Sequence, residues 1–475
     1  MFLGIFQSLI IVNILTKDQY GLIGLATSIA GIAGITQHLG LASSSTKEIS
    51  QAKNSQEIFN IVFSSISIRM LISLPISLVL LIFANPIAKY YNNLDLVFPL
   101  QIFGLITLVQ AFQSIFNSVI SGTQKFKLLF TYQVVIALVS LFIFLPLVFT
   151  KGLVGYFYAL LIFNLIQTLI LGFYSFKDLK FKLALPSKKE FLYLCGKLLK
   201  VSLAIYFVKI IFTGWQEVPV AYLGKIVSLE SLALFTFAFN LSGKLMAISD
   251  SVTDVNLPVF SKKSVESIKD YLDTFLKNYN LLFYFILVCG ISVSFWSKEI
   301  LLGSDLFVAL VGNLVGMHFQ KNIFDRYSSS LILFLPLILS NVFYSYLNIF
   351  KSSFFVPLEK LKQMIVSYVV MILGTAVSFY FLNKYLYDIL AMSCAVFVGS
   401  LIAFLLSIYY INQDLEENFL DVKKIIFTLF SIVIGLLAYF IELDFYSKSV
   451  IFISYLFLIF YIFKINLLTL LKKKK

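Results

Sequence analysis

Three cations sit inside stretches that are otherwise apolar: Arg69, Lys209 and Lys244. A cation at the centre of a bilayer costs about 2.5–3.5 kcal/mol on insertion scales, so such a group faces protein or water rather than lipid. Its chemistry is to hold an anion. Polar side chains accompany these cations at helical spacing. Ser202, Tyr206, Lys209, Thr213 and Gln216 form one continuous face, with Glu217 beside its far end. Asn240, Lys244, Ser251 and Asp254 form a second, with Ala247 completing the spacing. Thr107, Gln110, Gln113 and Asn117 form a third, Asn341, Ser345 and Asn348 a fourth, and Ser65 and Ser73 share the face of Arg69. Such faces either line a wet cavity or join helices through hydrogen bonds. The uncharged Thr107 and Asn341 stripes suit the joining role, with Gln110, Gln113 and Asn117 also candidates for the lining. The cations suit a cavity, because a charge gains little from packing alone. The competing role for Lys209 is an ion pair with Glu217, two turns away on the same helix.

The elements that must position these residues are transmembrane helices. The 475 residues are 60% hydrophobic and 13% charged, with a mean hydropathy of +0.93, whereas soluble domains carry about 25% charged residues. A helix needs about 20 apolar residues to cross the hydrocarbon core. Fourteen such runs can be drawn: 1–15, 22–41, 58–84, 96–120, 128–149, 153–174, 201–223, 229–252, 281–296, 331–350, 364–382, 389–411, 425–441 and 450–463. Continuous apolar runs without in/out alternation exclude a barrel. The expected fold is all-α, a polytopic membrane protein with about fourteen transmembrane helices. The apolar segment 306–319 is too short to be a fifteenth span and reads as an interfacial or re-entrant piece.

Lysine placement sets the orientation. Twenty-five basic residues fall in the gaps on the side of the N-terminus and nine in the opposite gaps, which by the positive-inside rule places both termini in the cytoplasm. The expected location is the bacterial inner membrane. The net charge of +13 then meets anionic lipid headgroups rather than nucleic acid. Arg69, Lys209 and Lys244 remain unexplained by topology and form a positive belt in the cytoplasmic half. The gap 175–200, with seven lysines, divides six spans from eight. The expected organisation is a first lobe at 1–174, a cytoplasmic linker at 175–200, a second six-helix lobe at 201–411, and two extra helices with a basic tail at 412–475. A weak repeat supports it: residues 15–26 can be laid on 227–238, so that Asp18 meets Glu230, Gly21 meets Ala233 and Ala26 meets Ala238.

Catalytic signatures are missing from the sequence. Gly196-Lys197, Gly224-Lys225 and Gly243-Lys244 are followed by Leu, Ile and Leu, so there is no phosphate loop. There is no Asp-x-Asp pair and no His-Glu-x-x-His, and His38 and His318 stand alone. Cys195, Cys289 and Cys394 are far apart and read as isolated thiols. No cleavable signal peptide is visible; the first span is short and begins at Met1, which suggests a start further upstream. The expectation is a non-enzyme with no metal and no cofactor beyond a coupling cation, for which Glu217 is the candidate.

The segments LTKDQYGL (15–22), HLGL (38–41) and TKEI (46–49) resemble the opening of polysaccharide flippases of the Wzx type, in the multidrug/oligosaccharidyl-lipid/polysaccharide (MOP) exporter superfamily. LGK (223–225), LESLALFTFA (229–238) and NLPVFS (256–261) resemble the boundaries of that family's eighth span. The resemblance implies a V-shaped pair of six-helix lobes with two extra helices. It also implies alternating access, moving an undecaprenyl-pyrophosphate-linked oligosaccharide to the outer leaflet for O-antigen or lipopolysaccharide assembly. The family's cationic cavity is lined by the first two helices of each lobe, which fits Lys209 and Lys244 better than Arg69. Relatives carry an acidic residue before a Leu-Gly pair in the seventh span; Glu217 precedes Leu223-Gly224 at a different spacing. The expected partners are the lipid-linked oligosaccharide, membrane lipids and other polysaccharide-assembly proteins. A cation-coupled multidrug exporter of the same superfamily would need a cavity dominated by carboxylates. A membrane glycan polymerase or lipid-linked sugar transferase would need a large outer loop or a carboxylate constellation.

Overall fold

Each apolar run forms a helix, because inside a bilayer a single helix satisfies its own backbone donors and acceptors. The computed structural model describes residues 2–38, 40–177, 184–253, 256, 260, 268–315, 323–415, 419, 421–440 and 445–463. The first half contains α1 (Phe2–Ile14), α2 (Lys17–His38), α3 (Leu41–Gln51), α4 (Ser55–Ile82), α5 (Ala84–Tyr90), α6 (Val97–Gly122) and α7 (Phe126–Phe176). The second contains α8 (Lys188–Ile226), α9 (Leu229–Gly243), α10 (Ile268–Phe295), α11 (Ser297–Val315), α12 (Ile323–Tyr327), α13 (Leu331–Phe350), α14 (Leu361–Leu382), α15 (Asp388–Leu415), α16 (Val422–Phe440) and α17 (Phe445–Phe463). Among the described residues, eight helical segments are long and apolar enough by themselves to cross a membrane. The fold is that of a multi-pass membrane protein with about fourteen spans.

Spans five and six are the two arms of α7, which folds back at Gly152, where φ is 54° and ψ −129°. A side chain is strained in that conformation, so the hairpin depends on glycine. In the first lobe α4 packs on α6, α6 on α7, α1 on α7, and α2 on α4 and α6. In the second, α13 and α14 pack on α15, while α9 and α10 pack on α13; α16 lies against α10. The lobes meet where α2 contacts α8 and α9.

Two segments refine the sequence reading. The gap 175–200 is helical from Lys188 onward, continuous with the seventh span, and α8 docks on the first lobe before reaching the second. Ser187 caps its start by accepting from the Glu190 amide at 3.3 Å. The Asn60 amide donates to Glu190 at 2.8 Å, Gln56 donates to the Ala184 carbonyl at 2.8 Å, and Lys197 pairs with Glu48. The segment 306–319 enters α11, and 316–319 lies outside the described residues. Hydrogen bonds tie the start of α11 to its neighbours: Lys448 donates to Glu299 at 2.8 Å, and Asp305 accepts from the Phe324 amide at 3.0 Å. Leu302, Leu306 and Leu310, one turn apart, are exposed along one face. That arrangement suits an interfacial helix.

Candidate functional site: an amide-lined pocket and a closed seam

The first site is built inside the first lobe. Arg69, in the middle of α4, is 1% exposed; its Nε has no hydrogen-bond partner, and no carboxylate pairs with it among the described residues. It lines a pocket of about 450 Å³ together with Gln110, Gln113 and Asn117 of α6 and Gln133 and Gln167 of the two α7 arms. An amide offers two donors and a carbonyl acceptor. The pocket thus combines one unpaired cation with five groups able to receive hydroxyls or N-acyl groups. Gln110 also donates to Asn164 at 3.4 Å, and Asn164 to the Leu160 carbonyl at 2.8 Å, fixing that wall. Lys209 on α8 is exposed and close enough to Arg69 for the two charges to interact.

The second site lies on the seam between the lobes. Gln216 and Glu217 of α8, Asn240 and Thr236 of α9, Tyr20 and Thr27 of α2, Ser8 of α1 and Tyr156 of α7 surround a cavity of about 280 Å³. Glycines let the helices approach there. A Cβ on Gly21 would stand 2.1 Å from the Leu229 carbonyl oxygen, and one on Gly31 would stand 2.8 Å from the Glu217 carboxyl carbon. A Cβ on Gly24 would meet Thr236 at 2.7 Å. Gly24 and Thr236 are equivalent positions of the sequence repeat, as expected for helices related by a pseudo-two-fold axis. Beyond the cavity, Tyr20 stacks edge-on against Tyr327 at 6.2 Å, Lys225 donates to the Tyr90 carbonyl, and Arg326 reaches α1. The lysine-poor end of the seam is closed.

The sequence candidates therefore separate. Arg69, Gln110, Gln113 and Asn117 come together in the first pocket; Gln216, Glu217 and Asn240 come together in the second. Thr213 and Tyr206 are half-buried and line neither. Lys244 is exposed and also lines neither, because the eighth span does not continue as one regular helix: α9 ends at Gly243 and i→i+3 bonds such as Leu245 N to Ser242 O (3.1 Å) carry the turn. The proposed Lys209–Glu217 ion pair is not formed; Glu217 faces α2, where Ser28 donates to its backbone carbonyl. The Asn341 stripe joins helices as expected, Asn341 donating to Ser242 at 3.1 Å and Asn348 to Asp250 at 2.9 Å. The side chains of Ser202 and His38, with Asp254, His318 and the Lys472–Lys475 tail, lie outside the described residues. The cysteines are free. Sequence reading missed Gln133, Gln167, Tyr20 and Asp250. Lone glutamines in apolar arms were the available signal for the first two; tyrosines in apolar runs look like packing, and Asp250 stands one residue off the eighth-span stripe.

The helical bundle, with a buried cation beside five amides and a second cavity between α2, α8 and α9, defines a multi-pass membrane protein. The chain belongs to the polysaccharide biosynthesis protein family, whose model matches residues 10–307. No curated protein matches it. Among solved structures it is similar to an inward-facing multidrug resistance MATE family transporter of the MOP superfamily, with 13% identity, 87% of this chain and 94% of that chain covered, and a TM-score of 0.69. The lipid II flippase MurJ, in an inward closed conformation, gives 14% identity, 96% and 97% coverage, and a TM-score of 0.66. An outward-facing MATE family transporter gives 13% identity, 87% and 92% coverage, and 0.54. These likenesses show that the chain shares the fold of these transporter and flippase structures.

Proposed function

We propose that the protein is a flippase that moves undecaprenyl-pyrophosphate-linked oligosaccharide units from the cytoplasmic to the outer leaflet of the bacterial inner membrane by alternating access, with both termini cytoplasmic. The observation that carries this reading is Arg69: a buried cation with no carboxylate partner among the described residues, in a pocket with five amides and with Lys209 nearby. A phosphate offers the charge that Arg69 lacks, and a sugar offers the hydroxyls that match the amides. Membership in a polysaccharide biosynthesis family supports a glycan cargo. The positive-inside asymmetry supports the orientation, so that the closed, lysine-poor end faces outward. Lys244 is kept as a further contact on the entry path. A division into two six-helix lobes, with α8 running from one to the other, and association with other polysaccharide-assembly proteins belong to the same reading.

Glu217 favours an added element, coupling to a cation, because this acidic residue lines the seam cavity together with Gln216, Asn240 and Tyr20. Replacing Arg69, Lys209 and Lys244 together by glutamine tests the reading: surface glycan export is lost at normal protein level. Undiminished export overturns the site.

A further inference from the structure

A cargo whose lipid tail stays in the membrane while its head sits inside a protein must straddle a seam between two helices. The lysine-poor end of the inter-lobe seam is closed, and the two arms of α7 form a second seam with a space on each side of it. On their membrane-facing side lies a groove of about 840 Å³, lined by Thr131 and Val135 of one arm and by Leu169, Ile170, Phe173 and Tyr174 of the other, with Lys125 and Lys127 also on its wall. On their inner side lies the Arg69 pocket, lined by Leu129, Gln133 and Ile136 of the first arm and Gln167 and Leu171 of the second. The alternation is helical: 131 and 135, and 169 and 173, point one way, while 129, 133 and 136, and 167 and 171, point the other.

One residue lines both spaces. Tyr132 is 7% exposed, belongs to the groove and to the pocket, and packs between Ile136 and Leu171. Its hydroxyl is buried, and the Gln167 amide of the pocket is the polar group it interacts with.

We infer that the seam between spans five and six is a lateral portal. The prenyl tail of a sugar-bearing phospholipid occupies the outer groove, its phosphates pass Lys125 and Lys127 on the way to Arg69, and its sugars reach the amides of the pocket past Tyr132. This rests on the flippase reading and adds the route by which the tail stays in lipid. The occupant is a sugar-bearing lipid rather than an ordinary phospholipid because the groove is backed by five amides and a buried arginine across one side chain. Groove chemistry alone would not tell the two apart.

The test uses the full chain in proteoliposomes, with benzoylphenylalanine placed at Val135 in the groove or at Leu71, an exposed position of α4, as control. The probe is a tritiated prenyl-pyrophosphate disaccharide. The portal predicts photolabelling at 135 but not at 71, competed by the unlabelled probe and not by phosphatidylglycerol. It also predicts that Tyr132→Trp, which fills the seam, abolishes translocation at unchanged thermal stability while labelling at 135 persists, and that Tyr132→Phe still translocates. Equal labelling at both positions, equal competition by phosphatidylglycerol, or full translocation by Tyr132→Trp overturns the portal. If the native chain translocates no prenyl-linked sugar yet labels at 135, the flippase reading fails while the lipid groove stands; if it translocates and labels only elsewhere, the portal alone fails.

Discussion

Arg326 donates from Nη2 to the Leu15 carbonyl at 2.5 Å, tying the second lobe to the end of the first span. Its Nη1 donates to the Val12 and Asn13 carbonyls at 3.1 and 3.2 Å. The last carbonyls of a helix lack intrahelical donors, and a cation there also complements the helix dipole. Hydrogen bonds to a charged group are worth about 1.5–3 kcal/mol, and about 1.4 kcal/mol shifts a two-state population tenfold. Arg326→Ala is therefore expected to open the lysine-poor end. A cysteine replacing Thr27, in a chain lacking Cys195, Cys289 and Cys394, should react faster with an impermeant thiol reagent added on that side; unchanged reactivity would remove the clamp.

Gly21 and Gly24 should respond differently to substitution. At Gly21 the obstacle is backbone, the Leu229 carbonyl at 2.1 Å, whereas at Gly24 it is the Thr236 side chain at 2.7 Å, which can rotate. Gly21→Val is expected to prevent closure and abolish transport with the protein still in the membrane. Gly24→Ala is expected to keep most of the activity. Equal effects of the two would show that closure does not depend on that backbone approach.

Much of the fold was legible because apolar run length is a direct physical requirement of the bilayer. Positions within the helices were less legible. The stripe through Asn240 and Lys244 assumed an unbroken helix, and the turn after Gly243 separates the two. Gln110 and Gln113 share one face because α6 is regular, while Arg69 comes from α4 and Gln133 and Gln167 from the two arms of α7. Arg326 was counted among the outer basic residues, since nothing local in sequence signals a contact with carbonyls some 310 positions away. Contacts between distant helices carry no local periodicity, so the sequence displays the pieces and not their meeting.

Lys197 makes a pH-dependent tie at the lysine-rich end. The hydrogen bond to Glu48 holds its pKa above the usual 10.5, with burial opposing. A raised folded-state pKa means that the stabilisation is complete below the unfolded value of 10.5 and is lost as pH rises through the folded one. Because the lysine side chain is 42% exposed, the effect is small. Thermal stability of the native chain and of Lys197→Met should differ by a constant amount from pH 6 to about pH 9 and converge above about pH 11. A difference that grows with alkalinity would contradict the pairing.

Glu217→Gln keeps the shape of the seam cavity and removes its carboxylate. With a cation gradient imposed across proteoliposomes, the native chain is expected to transport faster than without it, and the variant at one rate in both conditions. A variant that still responds to the gradient would place coupling elsewhere.

The most direct measurement is translocation of a prenyl-pyrophosphate oligosaccharide in proteoliposomes by the native chain, by Arg69→Lys and by Arg69→Gln. Arginine presents a fixed planar fork to phosphate oxygens and lysine a single ammonium group, so the two are not equivalent. The expected order is native, then Arg69→Lys, then Arg69→Gln with about a tenfold or greater loss, the size expected for one charge-assisted contact. Equal rates for the native chain and Arg69→Gln, at equal protein in the membrane, would contradict the assignment of the buried arginine to the anionic part of the cargo.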